Sequence, residues 1–319
     1  MSRTALTGPA STGPASTNPA SSAGQADDDV LRHRPRLLGL AYRMLGDMDD
    51  AEDVVQEAYL RWHQEERVDV RSPEAWLVTV VTRLAVDRLR RAATERANYI
   101  GPWLPEPIAT EPQSELPAPD RCAELASDLS VALLVLLESL APEERAAFLL
   151  REVFGHDYAE IARILERRPA AMRQMVHRAR ARVHAGRPRL PVAPEAHEQL
   201  FERFRQALAA DDAPALLALL APDVTLASDG GGRAAAALRW LRGPDRVSRF
   251  LLGVRRKFLL QATWRSTPLN GQPGVLTFAN GELFAATTID VADDHIRAVH
   301  TVRNPEKLRH VLEVVGPII

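Results

Sequence analysis

Residues 157–184 read DYAEIARILERRPAAMRQMVHRARARVH. Tyr158, Ile161, Ala162 and Leu165 recur at helical spacing and lay one apolar stripe along a first helix. Glu166, Arg167 and Arg168 are too polar to extend it. Pro169 suits the first position of a new helix, where its missing N–H costs nothing. Met172, Met175, Val176, Ala179 and Val183 form the buried side of that second helix, and Arg173, Gln174, His177, Arg178 and Ala181 the other. From Arg167 to Arg189 there are eight arginines, two histidines and no acid. A short helix, a tight turn and a basic second helix predict a helix-turn-helix that enters a DNA major groove. The competing account is the solvated face of a helical bundle, but acid-free basic helices are uncommon as plain surface. In the DNA-binding account arginine and glutamine read base edges while flanking arginines hold phosphates.

The whole chain of 319 residues is long enough for two or three domains, and its net charge of −2 hides strong local segregation. Cys122 is the sole cysteine, which excludes an intramolecular disulfide and a cysteine-based metal cluster. There is no apolar run of membrane-spanning length and no signal peptide, so the expectation is a soluble cytoplasmic protein. Residues 1–27 are rich in Ser, Thr, Pro, Ala and Gly and are read as a disordered tail.

Residues 28–96 read as three helices. The first carries Leu37, Leu38, Leu40, Ala41, Met44 and Leu45 and stops at Gly46. The second starts near Asp49 and turns Val54, Val55, Ala58, Tyr59 and Trp62 inward; from Asp47 to Glu57 there are six acids and no base. Acids at a helix start are partly explained by the macrodipole. The third begins at Ser72-Pro73-Glu74, a cap and an N1 proline, and ends basic at Arg88, Arg90 and Arg91. Residues 97–120 hold six prolines and predict an extended linker, interrupted by Trp103-Leu104-Pro105-Glu106-Pro107. A plain spacer gains nothing from a tryptophan and a leucine, so the pair is expected to pack on a neighbouring domain or a partner. Residues 121–190 complete the second helical unit, with Leu129, Leu133, Leu136, Leu137 and Leu140 ahead of Pro142.

These two segments, RPRLLGLAYRMLGDMDDAEDVVQEAYLRWH with SPEAWLVTVVTRLAVDRLRRA, and the helix pair at 142–184, resemble regions 2 and 4 of extracytoplasmic-function sigma factors of the sigma-70 family. The resemblance implies two all-α domains that bind RNA polymerase core and promoter DNA. Core would dock on Asp50, Asp53, Gln56 and Glu57. The −10 element would fall to Trp76, Arg83, Asp87, Arg90 and Arg91. The −35 element would fall to Arg173, Gln174, His177, Arg178, Arg180 and Arg182.

Pro188, Pro191 and Pro194 mark a boundary, and residues 195–319 continue where factors of this type stop. Leu200, Phe201, Phe204 and Leu208, then Leu216, Leu217 and Leu220, read as helices. Strand-like runs follow at 224–227, 262–266, 275–279, 283–291 and 296–302, with turns at Asn270-Gly271, Asn280-Gly281 and Asp293-Asp294. Helices followed by an antiparallel meander predict an α+β fold that resembles the SnoaL-like, NTF2-like cone. Asp229-Gly230-Gly231-Gly232-Arg233 reads as a flexible loop between a strand and a helix and lacks the Walker spacing. Asn304-Pro305-Glu306-Lys307-Leu308 reads as the start of the last helix, with Asn304 as its cap. With the WLPEP linker, these strings resemble the SigJ-like group of sigma factors, whose members usually have lysine where Arg233 stands. That resemblance implies that the cone replaces a separate anti-sigma factor, touching regions 2 and 4.

The full expectation is a multidomain, non-enzymatic sigma factor without cofactor or metal, monomeric when free, off the membrane, with a small apolar ligand in the cone as a further prospect. The alternatives are a DNA-binding regulator whose cone senses a ligand, or one whose cone is an isomerase- or cyclase-type enzyme. Catalysis would need a carboxylate or histidine inside the cone, with Asp223, Asp229, His295 and His300 available. His300 is read as a hydrogen-bonded core residue of its strand.

Overall fold

The computed structural model describes residues 31–64, 70, 72–110, 130–186 and 193–316. The expectations at 1–27, at 111–120, at Leu129 and at Pro188 and Pro191 lie outside them.

Helix α1 (Arg34–Leu45) ends where Gly46 turns left-handed, at φ 71°. Its reversal feeds directly into α2 (Met48–Gln64), and α3 (Pro73–Ala97) starts under a Ser72 cap whose hydroxyl accepts from the Ala75 amide at 3.3 Å. The basic end of α3 runs on past Arg91 to Ala97. Helices α4 (Val131–Glu138), α5 (Pro142–Glu152), α6 (Tyr158–Ile164) and α7 (Pro169–Gly186) follow. Asp157 and Glu160 close a reciprocal capping box on α6. The α6–α7 pair is the expected helix-turn-helix, with Met172, Val176, Ala179 and Val183 buried and Met175 half-buried. The two helical units do not have separate cores: Leu40, Val55 and Leu77 share one apolar cluster with Leu149, Ile161 and Val176.

The C-terminal domain opens with α8 (Pro194–Ala209) and α9 (Ala213–Leu219). Its six-stranded sheet has the order β2-β1-β6-β5-β4-β3, formed by β1 (Leu220–Asp229), β2 (Leu241–Arg242), β3 (Thr263–Leu269), β4 (Gln272–Ala279), β5 (Glu282–Ala292) and β6 (His295–Val302). Strands β3 to β6 form the antiparallel meander, but β1 lies parallel to β6, so the sheet is mixed. Helix α10 (Pro244–Phe258) lies between β2 and β3, and α11 (Arg309–Val315) ends the fold. This is the α+β cone.

Two local expectations are corrected. The glycine loop leads to β2, not into a helix, which begins only at Pro244. Asn304 caps a turn rather than α11: its side chain accepts from the Glu306 amide at 3.2 Å, and α11 starts at Arg309.

Strand alternation gives the sheet two different faces. Leu226, Val275, Ile289 and Val299 pack under α8, α9 and α10. Ala227, Leu276, Phe278, Ala286 and Val302 face the opposite way, against α11 and the linker. His300 belongs to this second face, opposite Thr288 and Ala227 and edge-on to Trp240 at 6.2 Å. It makes no hydrogen bond among the described residues, and burial lowers its pKa to about 4.

Candidate promoter, polymerase and interdomain sites

Along the exposed side of α7, Gln174, His177 and Arg178 make no hydrogen bond or ion pair among the described residues, and Arg173 stands over the Tyr158 ring at 6.0 Å. Arg180 and Arg182 are already engaged, by Glu152 at 2.6 Å and Glu144 at 2.5 Å on α5. The expected −35 residues thus share one helix, but two of them are tied to a neighbouring one.

Two of the expected −10 residues, Arg83 and Arg90, are turned towards region 4. Arg83 donates to the carbonyls of Ile164 at 2.9 Å and Arg163 at 3.2 Å, and pairs with Glu166 at 3.0 Å. Arg90 pairs with Asp87 at 2.9 Å and with Glu143 of α5 at 2.6 Å. Trp76 meets Trp62 edge-on at 5.3 Å, and Arg91 stays exposed. Deeper in the seam, Arg145 donates to the Met44 carbonyl and to Glu138, which also holds Arg96.

Among the expected core-binding residues, Asp53 and Gln56 are exposed, Glu57 pairs with Arg61, and Asp50 accepts from Arg88 at 2.8 Å. Neighbouring Asp49, absent from that expectation, reaches the cone, where it pairs with Arg309 and lies 3.4 Å from His310.

The WLPEP stretch is a strap between the helical half and the cone. Leu104 and Ala109 sit in the cone's apolar cluster, while Ile108 belongs to the helical core. Trp103 lies between two cations: Arg96 at 3.7 Å and Lys307 at 3.9 Å from the ring. Its indole edge abuts Gly46, where any Cβ would meet it at 2.8 Å. Trp103 is half-buried, and Pro105 and Pro107 beside it are buried. Glu106, only 2% exposed, donates its amide to the Gly46 carbonyl at 2.8 Å. Its carboxylate accepts from the Met48 amide at 2.8 Å and from His310 at 2.6 Å. Burial raises the Glu106 pKa; these hydrogen bonds oppose that. The Glu106 carbonyl accepts from the buried Tyr42 hydroxyl at 2.6 Å, which in turn accepts from Asn270 at 2.7 Å.

Asp229 is the hub on the cone side. Fully buried, its carboxylate accepts from the Tyr99 hydroxyl at 2.6 Å, the Leu104 amide at 2.8 Å and Lys307 at 2.8 Å. Burial pushes the Lys307 pKa down, and Asp229 opposes this. Gly231 has φ 58°, and a Cβ there would meet Asn304 and Tyr99 within 2.7 Å, so the triple glycine serves close packing rather than looseness. Arg233 pairs with Glu306 at 2.7 Å on the surface, joining the DGGGR and NPEKL strings. Leu308 is buried in the same cluster as Leu104, and Pro305 is exposed in the turn. A cleft of about 370 Å³ remains between α2, α3 and the cone, bordered by Asp49, Arg88, Tyr99, Trp103 and Arg309.

Sequence reading missed Tyr42, Asp49, Tyr99, Asn270, Arg309 and His310 as interdomain residues. A signal existed for Asn270 only in hindsight, because its positive φ of 52° satisfies the turn reading completely.

Residues 30–95 match sigma-70 region 2 and residues 130–183 match sigma-70 region 4. The chain is 40% identical over 287 residues to the ECF RNA polymerase sigma factor SigJ of Mycobacterium tuberculosis (strain ATCC 25618 / H37Rv), covering 86% of this chain and 90% of that protein. The chain belongs to the extracytoplasmic-function sigma factors. It is also 33% identical over 279 residues to the probable ECF RNA polymerase sigma factor SigI of Mycobacterium tuberculosis (strain CDC 1551 / Oshkosh), over 86% of this chain and 92% of that one. The crystal structure of Mycobacterium tuberculosis SigJ superposes with a TM-score of 0.72 at 35% identity, over 89% of this sigma factor and 98% of SigJ. Among the described residues of this sigma factor, no helix is long and apolar enough to cross a membrane.

Proposed function

We propose that the compact arrangement is a closed, idle form of a sigma factor whose cone holds regions 2 and 4 away from polymerase core and promoter. The observation that carries this is the fate of the functional side chains. Arg83 and Arg90, proposed to handle the −10 element, are held by region 4, through α6 and α5 respectively, and Asp49, beside the proposed core-docking face, is held by α11. In the open form Asp50, Asp53, Gln56 and Glu57 dock on core, while Trp76, Arg83, Asp87, Arg90 and Arg91 meet the −10 element. The −35 element is met by Arg173, Gln174, His177 and Arg178, with Arg180 and Arg182 as phosphate contacts once released from α5. The cone touches both halves: Val135 of α4 packs on its apolar cluster, and Glu106 links it to α1 and α2.

The cone is proposed to be regulatory rather than catalytic. Among the described residues the wall of its pocket holds arginines, threonines, a serine and apolar side chains but no carboxylate and no histidine, so general acid–base chemistry has no group to use among them. Asp229 and His300 lie on the other face. The pocket instead supports the ligand-sensor prospect. We further propose that the free factor is a monomer of the cytoplasm.

The test is a titration of RNA polymerase core with the full chain and with Asp229→Ala. Tighter binding by the variant is expected; equal affinity would refute the closed form. Promoter recognition is tested separately with Arg173→Ala/Arg178→Ala, each base-edge contact being worth about 1–3 kcal/mol. Open-complex formation should collapse while the unfolding midpoint stays put, since both side chains are exposed.

A further inference from the structure

The pocket of the cone combines an apolar body with cations that lack an anion. It has a volume of about 80 Å³ and is walled by Phe204, Leu208, Phe250, Leu251 and Trp264. Arg303 reaches in flat against the Phe284 ring, 3.6 Å from its centroid, with a hydrogen bond to the Ala235 carbonyl. Arg255 comes from α10 and donates to the Ala209 carbonyl at 3.2 Å. The Nε of each guanidinium is shut off from solvent with no hydrogen-bond partner, and neither arginine has a carboxylate partner among the described residues. A third arginine of the wall, Arg205, is different: Glu202 neutralises it at 2.6 Å. Across the floor, the Thr287 and Thr301 hydroxyls lie 3.1 Å apart and add further polar groups.

A half-buried cation without a counter-charge is partly desolvated, and an entering anion offsets that. Burial also lowers the Arg303 pKa. The size of the cavity limits the ligand: a cavity of ~150 Å³ holds benzene, so this one takes an apolar body of roughly three to five non-hydrogen atoms.

The same arginine leads out of the pocket to the strap. Ser228 and Arg303 line the pocket, while the next residues along the chain, Asp229 and Asn304, belong to the hub on the other face. The Arg303 and Asn304 amides both donate to the Asp229 carbonyl, at 2.7 and 2.9 Å. The Arg303 guanidinium holds Ala235, at the far end of the glycine loop whose Gly231 packs on Tyr99. An anion that draws the guanidinium towards itself therefore competes with the hydrogen bond that fixes this loop.

We propose that the cone is a receptor for a short-chain carboxylate, with its apolar chain in the pocket and its charge on Arg303 and Arg255, and that occupancy loosens the strap through Arg303. The coupling half of this proposal rests on the closed-form reading above; the binding half does not.

The test uses the full chain, with isovalerate as probe and isovaleramide as its neutral counterpart. Calorimetry should show isovalerate binding at least ten-fold more tightly than the amide. That preference should vanish in Arg303→Met and weaken in Arg255→Met, a variant outside the glycine loop that keeps the test decisive if Arg303→Met misfolds. At saturating isovalerate, hydrogen exchange of the Leu104 amide, held by Asp229, should accelerate several-fold in the parent and not in Arg303→Met. Equal binding of acid and amide, no binding at millimolar concentration, or unchanged binding by both variants would overturn the receptor. Unchanged Leu104 exchange at saturation would overturn the coupling. If instead Asp229→Ala fails to raise core affinity while isovalerate still binds through Arg303, the closed form is wrong and the carboxylate site stands.

Discussion

The two seams of this sigma factor are built from different materials. Between regions 2 and 4 the contact is a continuous apolar core, fringed by Arg83 and by buried Arg145, which donates to the Met44 carbonyl. Between the cone and region 2 with its strap the contact is polar: Asp229 with Tyr99, Glu106 with His310, Tyr42 with Asn270, and a tryptophan between two cations. An apolar seam opens only by exposing its area to water, and no charge or ligand trades against that directly. A polar seam balances desolvation against pairing, so removing one partner, or offering another, shifts it by several kcal/mol. On the closed-form proposal the difference predicts an order of opening: the cone lets go first and the two DNA-binding halves part afterwards, on core or promoter.

The largest break is expected at the hub. Asp229→Ala leaves Lys307 buried without its counter-charge and strands the Tyr99 hydroxyl and the Leu104 amide, a loss of about 3–5 kcal/mol. Urea unfolding should show the cone melting earlier while the helical half keeps its midpoint. A joint shift of both would mean that the seams are one cooperative unit and the comparison fails.

The strap allows a sharper test, because two of its apolar side chains, Leu104 and Ile108, serve different cores. Leu104→Ala and Ile108→Ala each remove a buried aliphatic group, at a cost of about 2–5 kcal/mol. Leu104→Ala should free the cone and raise core affinity; Ile108→Ala should destabilise the helical half. Smaller again is Phe154→Ala, which removes the ring under Arg36 and Arg43 at 5.6 and 5.9 Å and should loosen only the region 2–region 4 seam, by about 1–2 kcal/mol. Cross-linking between α1 and α5 would report it; an unchanged yield would place the strength of that seam elsewhere.

What the sequence showed follows the range over which each feature is encoded. The Ser72 cap, the Gly46 stop, the α6–α7 turn and the three two-residue hairpins each depend on a few neighbouring residues, and all were legible. Helix α10 was expected after the glycine loop but not placed, although Pro244 stands at its start and Val247, Leu251 and Val254 at helical spacing, so the signal for its bounds was present and unread. The parallel pairing of β1 with β6 and the contact between Tyr42 and Asn270 were not legible, because no local period specifies a partner so distant in the chain. The motif strings marked where the seam lies. They did not show that Asp229 faces the strap while Ser228 faces the pocket; the strand register decides that.

The smallest expected effect separates the seams by pH. His310 of α11 faces Glu106 of the strap and Asp49 of α2; Glu313 lies on its own helix, and Arg309 shares Asp49. Burial alone would lower its pKa, but the hydrogen bond and charge of Glu106, with Asp49 and Glu313, hold it above the ordinary value. Closure therefore favours the protonated imidazole. Its contribution is complete below about pH 6.5, the value of a free histidine, and is lost as pH rises through the raised one. Glu106, raised by burial, has the same sign, but its window begins near the ordinary carboxylate value of about 4.3 and lies on the acid side. Above about pH 6.5 the histidine's contribution is lost as the imidazole deprotonates, and Leu104 amide exchange should quicken with pH beyond its intrinsic rise. His310→Gln should flatten that excess. The helical seam is apolar at its centre, so exchange at buried amides of α5 should follow only the intrinsic rate. An equal pH response at both seams would show that they open together, and the polar seam would lose its claim to move first.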